Sequence, residues 1–408
     1  MSRNSTVFFS LLVFLAAILA CVSPVSTEQP AKPDNVETIV AVTVQALTAP
    51  AAGITPPAQP PASSLLPRTL YFLNNDAAGL AQVYRLEKDG VTLKQVTAEP
   101  VKVTEYDVSV MDGSVIYVAN NQLLLINTDG SNRRVLVDGG VTDENNPFLT
   151  NIRSPVWSPN GQTIAYGHKG LNFYSVATNQ ANRVLEDNID DVGNGFLVPR
   201  EMFWPEKYTA DGSKLVITLG YYEGASAAIY YPNGSALVRV NGGDGALICC
   251  GDTEWTTDGS AFYAANPSLG MFSPGLWRVD SASGVVTTLL NGDAGNGTFN
   301  FADEPFLAPD GQLYYFFANQ PAGQEFVSRV PVQLVRSAPD GVTGRVVLRQ
   351  EPFNLMNEAL WSPDGSFVIV ANASIPDIYQ GGQIEMVYVD GRPNVVLAPF
   401  AVDMLWGP

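Results

Sequence analysis

The chain has 408 residues, of which 46% are hydrophobic and 10% aromatic, with 36 Gly and 29 Pro. That is enough apolar material for a large core cut by many turns, which argues against disorder throughout. Twenty-two Lys and Arg stand against 40 Asp and Glu, a net charge of −18, which repels polyanions and argues against nucleic acid as a partner.

The first predicted element is an address. After "MSRN" comes "VFFSLLVFLAAILA", Val7 to Ala20, whose 14 residues fall short of the roughly 20 needed to span a bilayer as a helix and read as a signal-peptide core. "ILAC", Ile18 to Cys21, resembles a bacterial lipobox, so residues 1–20 are expected to be removed and Cys21 lipidated. Ordinary signal-peptidase cleavage nearby is the alternative; in both cases the mature protein works outside the cytoplasm. Residues 21–67, with "TAPAAGITPPAQPPASSLLP", are too rich in Pro, Ala and Thr to bury a core and read as a membrane tether. Within them, Asn35 to Ala49 could form a short helix capped by Asn35.

From Arg68 onward the chain repeats itself. Motifs ending in Asp/Asn-Gly recur as "SVMDG", "WSPNG", "YTADG", "WTTDG", "LAPDG" and "WSPDG", with glycines at 113, 161, 212, 259, 311 and 365. A spacing near 50 suits four short strands and their turns. Each turn precedes an apolar run such as "SVIYVAN" or "FVIVAN", and a second hairpin follows in most copies, as in "LLLINTDGSNRRVLVDGG". The final "AVDMLWGP" supplies only an inner strand, whereas the first unit, from "TLYFLNND", lacks one. Pairing the two would remove the open edge.

"WSPDG" with a following strand, and then "LINTDGSNRRVL", resembles the TolB-like, WD40-like family of β-propeller repeats, over Thr69 to Pro408. The resemblance implies an all-β, seven-bladed propeller spanning residues 68–408; six or eight blades remain open. It implies little about activity, because propellers host many functions. TolB carries an N-terminal α/β domain where this chain has a proline-rich spacer, so its role in the Tol-Pal system is not carried over.

Inner strands should line a central channel, and acidic residues precede the Trp column. Asp252, Glu304, Glu358 and Asp403 stand three residues before it, with Glu105, Asp107, Glu206 and Asp303 close by. Converging carboxylates raise one another's pKa or gather a hard cation such as Ca2+. The alternative is that they bond to the backbone of the neighbouring blade. The loops between second and third strands are long in the later units; there Tyr221, Tyr222, Met271, Phe272, Phe326 and Tyr379 could form a platform for a protein or glycan, or fold back over blade edges. Cys249 and Cys250 are adjacent, and outside the cytoplasm they are candidates for a vicinal disulfide or for two inert or intermolecularly paired thiols.

A lone His168 leaves no multi-histidine metal centre, and no "GxSxG" elbow or glycine-rich nucleotide loop occurs. The expectation is a monomeric, lipid-anchored lipoprotein of the cell envelope that binds a protein partner without catalysis. The other reading is a glycan-binding protein or carboxylate-pair glycosidase at the acidic channel mouth.

Overall fold

The computed structural model describes residues 64–243, 246–250, 253–321 and 329–408. The chain divides into two units, Met1–Pro61 and Ala62–Pro408. The signal peptide, Cys21, the tether and the Asn35 helix lie outside the described residues.

The strands, in chain order, are β1 (Leu70–Asn75), β2 (Ala81–Leu86), β3 (Leu93–Gln95), β4 (Val103–Val108), β5 (Val115–Ala119), β6 (Gln122–Ile126) and β7 (Arg134–Asp138). A four-residue helix, α1 (Pro147–Thr150), precedes β8 (Arg153–Trp157), β9 (Thr163–Gly167), β10 (Gly170–Ser175) and β11 (Gln180–Glu186). Then come β12 (Asn188–Asp191), β13 (Leu197–Tyr208), β14 (Leu215–Tyr221), β15 (Gly224–Tyr231) and β16 (Ala236–Arg239). Next are β17 (Thr253–Trp255), β18 (Ala261–Asn266), β19 (Gly275–Asp280) and β20 (Val286–Asn291). The last are β21 (Thr298–Leu307), β22 (Leu313–Pro321), β23 (Gln333–Ser337), β24 (Val346–Val347), β25 (Met356–Trp361), β26 (Phe367–Asn372), β27 (Gly382–Tyr388) and β28 (Val395–Trp406).

All pairings between these strands are antiparallel, and each sheet is a meander of four consecutive strands, with two departures. In the fourth sheet β12 adds a short hairpin to the start of the long β13. At the chain's end β28 serves twice. Its first half pairs with β27, and its second half pairs with β1 through Leu70↔Trp406, Tyr71↔Leu405 and Leu73↔Val402. We number the sheets by their inner strands: the second half of β28 (sheet 1), β4 (2), β8 (3), β13 (4), β17 (5), β21 (6) and β25 (7).

Sheets cannot survive singly because their second strands are apolar on both faces: all of Val115–Ala119 is buried, as are Phe367–Ala371. Hydrophobic clusters accordingly bridge consecutive sheets. Tyr71 meets Tyr117, Ile116 meets Trp157, Ala165 meets Leu215, and Val216 meets Trp255. Tyr263 meets Leu313, Phe316 meets Trp361, and Ile369 meets Leu70. Outer strands are less buried: in Arg134–Asp138 no residue is buried.

Four of the five letters of the repeated motif have a visible physical task. In "WSPDG", Asp364 Oδ1 accepts the Ser366 N–H at 3.0 Å and Ser362 Oγ accepts the Phe367 N–H at 3.1 Å, closing the turn locally. Gly365 has φ +72°, and a Cβ there would stand 2.9 Å from the Ala308 Cβ of the preceding sheet, so both conformation and packing require glycine. Trp361 is 7% exposed, stacks on Phe306 with centroids 5.5 Å apart, and donates its indole N–H to the Glu304 carbonyl at 2.9 Å. Trp255 and Trp406 make the same backward reach, to Lys207 at 3.1 Å and Trp361 at 2.7 Å. The indole N–H of Trp157 finds no partner. Replacing Trp361 by Phe keeps most of the wedge and removes this bond; the expected loss is about 1–2 kcal/mol of stability, read from the urea midpoint.

Candidate functional site

The inner strands run from the face carrying the inter-sheet links to the face carrying the Asp-Gly turns. Most carry a bulge shortly before the wedge side chain, seen as register shifts at Val103/Glu105, Arg153/Val156, Pro205/Lys207, Asp303/Phe306 and Met356/Glu358. A bulge frees a backbone N–H from the ladder. Ser154, Glu304 and Asp403 sit there with φ of +49°, +48° and +55°, a region that residues other than glycine rarely occupy.

The carboxylates collect these freed donors. Glu105 takes the Ser154 N–H, and Asp107 takes that of Trp157 at 2.6 Å. Glu304 takes Ala359 N–H at 2.9 Å; Glu358 takes Asp403 N–H at 2.8 Å with one oxygen and Met404 N–H with the other. Asp187 accepts Phe203 N–H at 3.0 Å, and Glu206 accepts Cys250 N–H at 2.7 Å. Each bond runs from one sheet, or the link after it, to the next sheet or its approach. Burial pushes Glu358 up to about 7, with Asp403 adding to the effect. Burial likewise pushes Asp107 to about 7, Asp187 to about 6, and raises Glu105.

The five residues proposed for a cation or ligand are thus spread among different tasks. Glu304 and Glu358 fasten neighbouring sheets. Asp303 accepts the Glu304 N–H at 3.0 Å and lines a small pocket with Arg329, Asn357 and Tyr379. Asp403 is exposed, and burial of its surroundings raises its pKa. Asp252 lies outside the described residues. Among the described residues no three His, Cys, Asp or Glu side chains come together as a metal ligand set.

Toward the Asp-Gly turns, inner strands and turns surround a cavity of about 970 Å³. Residues one before the wedge position point into it, as strand alternation requires: Asp107, Lys207 and Glu254 form a charged sector, while Val156, Phe306 and Leu405 form an apolar one. Its lining also includes Val110, Pro159, Thr257, Pro309 and Pro408, with Arg68. Lys207 is half exposed and ion-paired to Glu254. Burial works against its charge, but Glu254, then Glu304 and Asp107, outweigh burial and raise its pKa. Sequence reasoning missed Lys207 and Glu254; the period-two alternation from Tyr208 and Trp255 was the available signal.

On the link face, Tyr222, Met271 and Tyr379 are 50%, 82% and 60% exposed, whereas Tyr221 and Phe272 are partly covered and Phe326 lies outside the described residues. Arg329 lies over the Tyr379 ring at 4.8 Å. Tyr222 meets Phe196 edge-on at 6.0 Å, and Phe196 is itself half exposed on the β12–β13 hairpin, which sequence reasoning did not foresee. The hairpin is fastened to this loop by the Tyr222 N–H, which donates to the Pro199 carbonyl at 2.9 Å. Cys249 and Cys250 are joined by a disulfide, with Cα atoms 3.8 Å apart.

Four-stranded antiparallel meanders joined sheet to sheet by buried aromatic wedges make this an all-β fold of the β-propeller class. No family model and no curated protein matches the chain. Solved structures do. An oligogalacturonate lyase in complex with manganese aligns over 81% of this chain and 84% of its own, with TM-score 0.51 and 11% identity. A prolyl endopeptidase aligns over 83% of this chain, with TM-score 0.53 and 14% identity; the match spans 49% of the endopeptidase. TolB from Acinetobacter baumannii aligns over 83% of this chain and 82% of its own, with TM-score 0.41 and 15% identity. These likenesses are of fold alone.

Proposed function

We propose that the chain is a seven-bladed propeller, closed where β28 meets β1, that binds a protein partner through its link face and performs no chemistry there. The seven bridging clusters support the blade number, since the last of them returns to the first sheet. The observation that carries the binding reading is the exposure of Tyr222 and Phe196, which touch edge-on, together with that of Met271 and Tyr379 on other loops of the same face, because exposed aromatic and Met side chains supply contact area to a partner. The carboxylates at the axis, by contrast, are engaged in fastening sheets. The signal-peptide and lipobox readings would make it a lipoprotein of the cell envelope anchored through Cys21; that it is a monomer is a separate part of the proposal. No helix among the described residues is long and apolar enough to cross a membrane.

The test is capture of cross-linked partners from the native envelope by parent protein and by a Tyr222→Ser, Met271→Ser, Tyr379→Ser variant. The variant is expected to bind at least about tenfold more weakly with an unchanged melting temperature. Equal binding by the two proteins overturns the proposal.

A second reading, a glycan site, is favoured by the cavity, where Asp107, Lys207 and Glu254 face Phe306 and Leu405 across a volume of about 970 Å³, within the range that holds small ligands. Saturable binding on an oligosaccharide array, lost in Glu254→Gln and kept in the rim variant, would select it. Glu358 is the wrong residue for that test, because its oxygens hold the Asp403 and Met404 amides.

A further inference from the structure

The junction between sheets 4 and 5 is built unlike those at Ser154 and Asp403. At the Ser154 and Asp403 junctions the left-handed residue is a bulge with paired residues of β8 or β28 on either side of it, so the flanking ladder fixes its place. Cys250 is also left-handed, with φ +72°, but it precedes β17, which itself has only three residues. What holds Cys250 is local: its N–H donates to Glu206 Oε1 at 2.7 Å and meets Thr218 Oγ1 at 3.1 Å, and its sulfur is bonded to Cys249. Cys249 is buried at 2% exposure, packed beside Ile248, which belongs to the cluster joining sheets 4 and 5. Cys250 is exposed. The covalent bond therefore stands at this junction where flanking strand pairing stands at those two, and Cys250 is the exposed member of the pair.

We propose that Cys249–Cys250 is a thiol–disulfide exchange site, attacked at Cys250 by a dithiol, and that its reduction loosens the junction between sheets 4 and 5. A thiolate of the dithiol bonds to the Cys250 sulfur; the Cys249–Cys250 bond breaks and its electron pair leaves on Cys249, which takes up the proton the attacking thiol gave away. The second thiol of the reagent then displaces Cys250 from the mixed disulfide and supplies the second proton. Both cysteines end reduced and the dithiol ends as its own disulfide. Freed from the ring, Cys250 has no covalent reason to stay left-handed, and the N–H it offers to Glu206 turns away. Glu206 keeps its contacts with Thr218 and, at 3.4 Å, with the Thr253 hydroxyl of β17, but loses the Cys250 amide ahead of that strand. Because Glu206 also lines the axial cavity, the redox state of the pair reaches the cavity wall.

The whole chain, kept native and treated with dithiothreitol, provides the test by alkylation mapping and amide hydrogen exchange. Peptide mapping separates Cys249 and Cys250 from the remaining cysteine, Cys21. The expected result is two alkylations at 249–250 only after dithiothreitol, with exchange at the Cys250 amide about tenfold faster and exchange in β1 unchanged. A Cys249→Ser, Cys250→Ser variant should exchange fast from the outset and ignore dithiothreitol. Alkylation of protein purified without reductant, or reduction that leaves Cys250 exchange unchanged, overturns the proposal. If the double variant fails to fold, the reading on the parent protein decides alone.

Discussion

Cutting the chain after Phe400 is expected to abolish the cooperative thermal transition. The cut removes the half of β28 that pairs with Leu70, Tyr71 and Leu73. It also removes Met404, which is 3% exposed, and Trp406, whose N–H holds the Trp361 carbonyl. Buried side chains of this size are worth about 2–5 kcal/mol each, and their sum approaches the about 5–15 kcal/mol by which whole domains are stable. What remains is β1 as an open edge, with side chains that are almost fully buried in the intact protein. Calorimetry of the shortened chain is the measurement, with light scattering to follow aggregation through the exposed edge. A transition within a few degrees of the parent's would show that the β1–β28 seam contributes little.

Glu358→Ala should destabilise by about 2 kcal/mol, because two backbone N–H groups lose their acceptor, that of Met404 in a partly buried place and that of Asp403 in an exposed one. The same carboxylate gives a pH signature. Its folded pKa is about 7 against an ordinary 4.5, so between those values the folded state holds a proton that the unfolded state has released. Stability from this group is full below about pH 4.5 and is lost as pH rises through about 7. Asp107 and Asp187 act in the same direction. Carboxylates held below their ordinary value, such as Glu99 against Arg133, lose their contribution as pH falls through the acid range. The melting temperature is therefore expected to peak near about pH 5 and decline toward about pH 8, with a shallower decline in Glu358→Gln. A flat profile over that interval would place these carboxylates in ordinary solvent.

The repeat was legible because its letters answer to local physics. Gly161 and Gly365 need a left-handed turn, and Trp361 needs a wedge to fill. The segment "AVDMLWGP" carried the alternation of an inner strand without the rest of a sheet behind it, and it forms the second half of β28. The β12–β13 hairpin was not legible: in "NIDDVGNGFLV" the first strand, Asn188–Asp191, is short, mostly polar and without alternation, and the hairpin is tied down by the amide of a distant residue, Tyr222. The acids were legible as residues near the axis, but not in their task. Whether Glu358 faces open water or a backbone amide is fixed by the bulge that turns Asp403 into the left-handed region, and a bulge leaves no mark in residue type. Lys207 and Glu254 were hidden for a simpler reason: an exposed ion pair in a channel reads, in sequence, like any solvated surface pair.

The seam between β1 and β28 also sets a timetable for the chain's own synthesis. Thr69 and Pro408 meet in it although they are 339 positions apart. Translation at about 5–20 residues per second separates their emergence by roughly 20–70 seconds. Throughout that interval the earliest strand is made but its β28 partner does not yet exist, and the β1–β28 pairing must wait for residues 402–406. Such long-range pairing is slow to form, so shielding that one strand during biogenesis is a demand the architecture places on the cell.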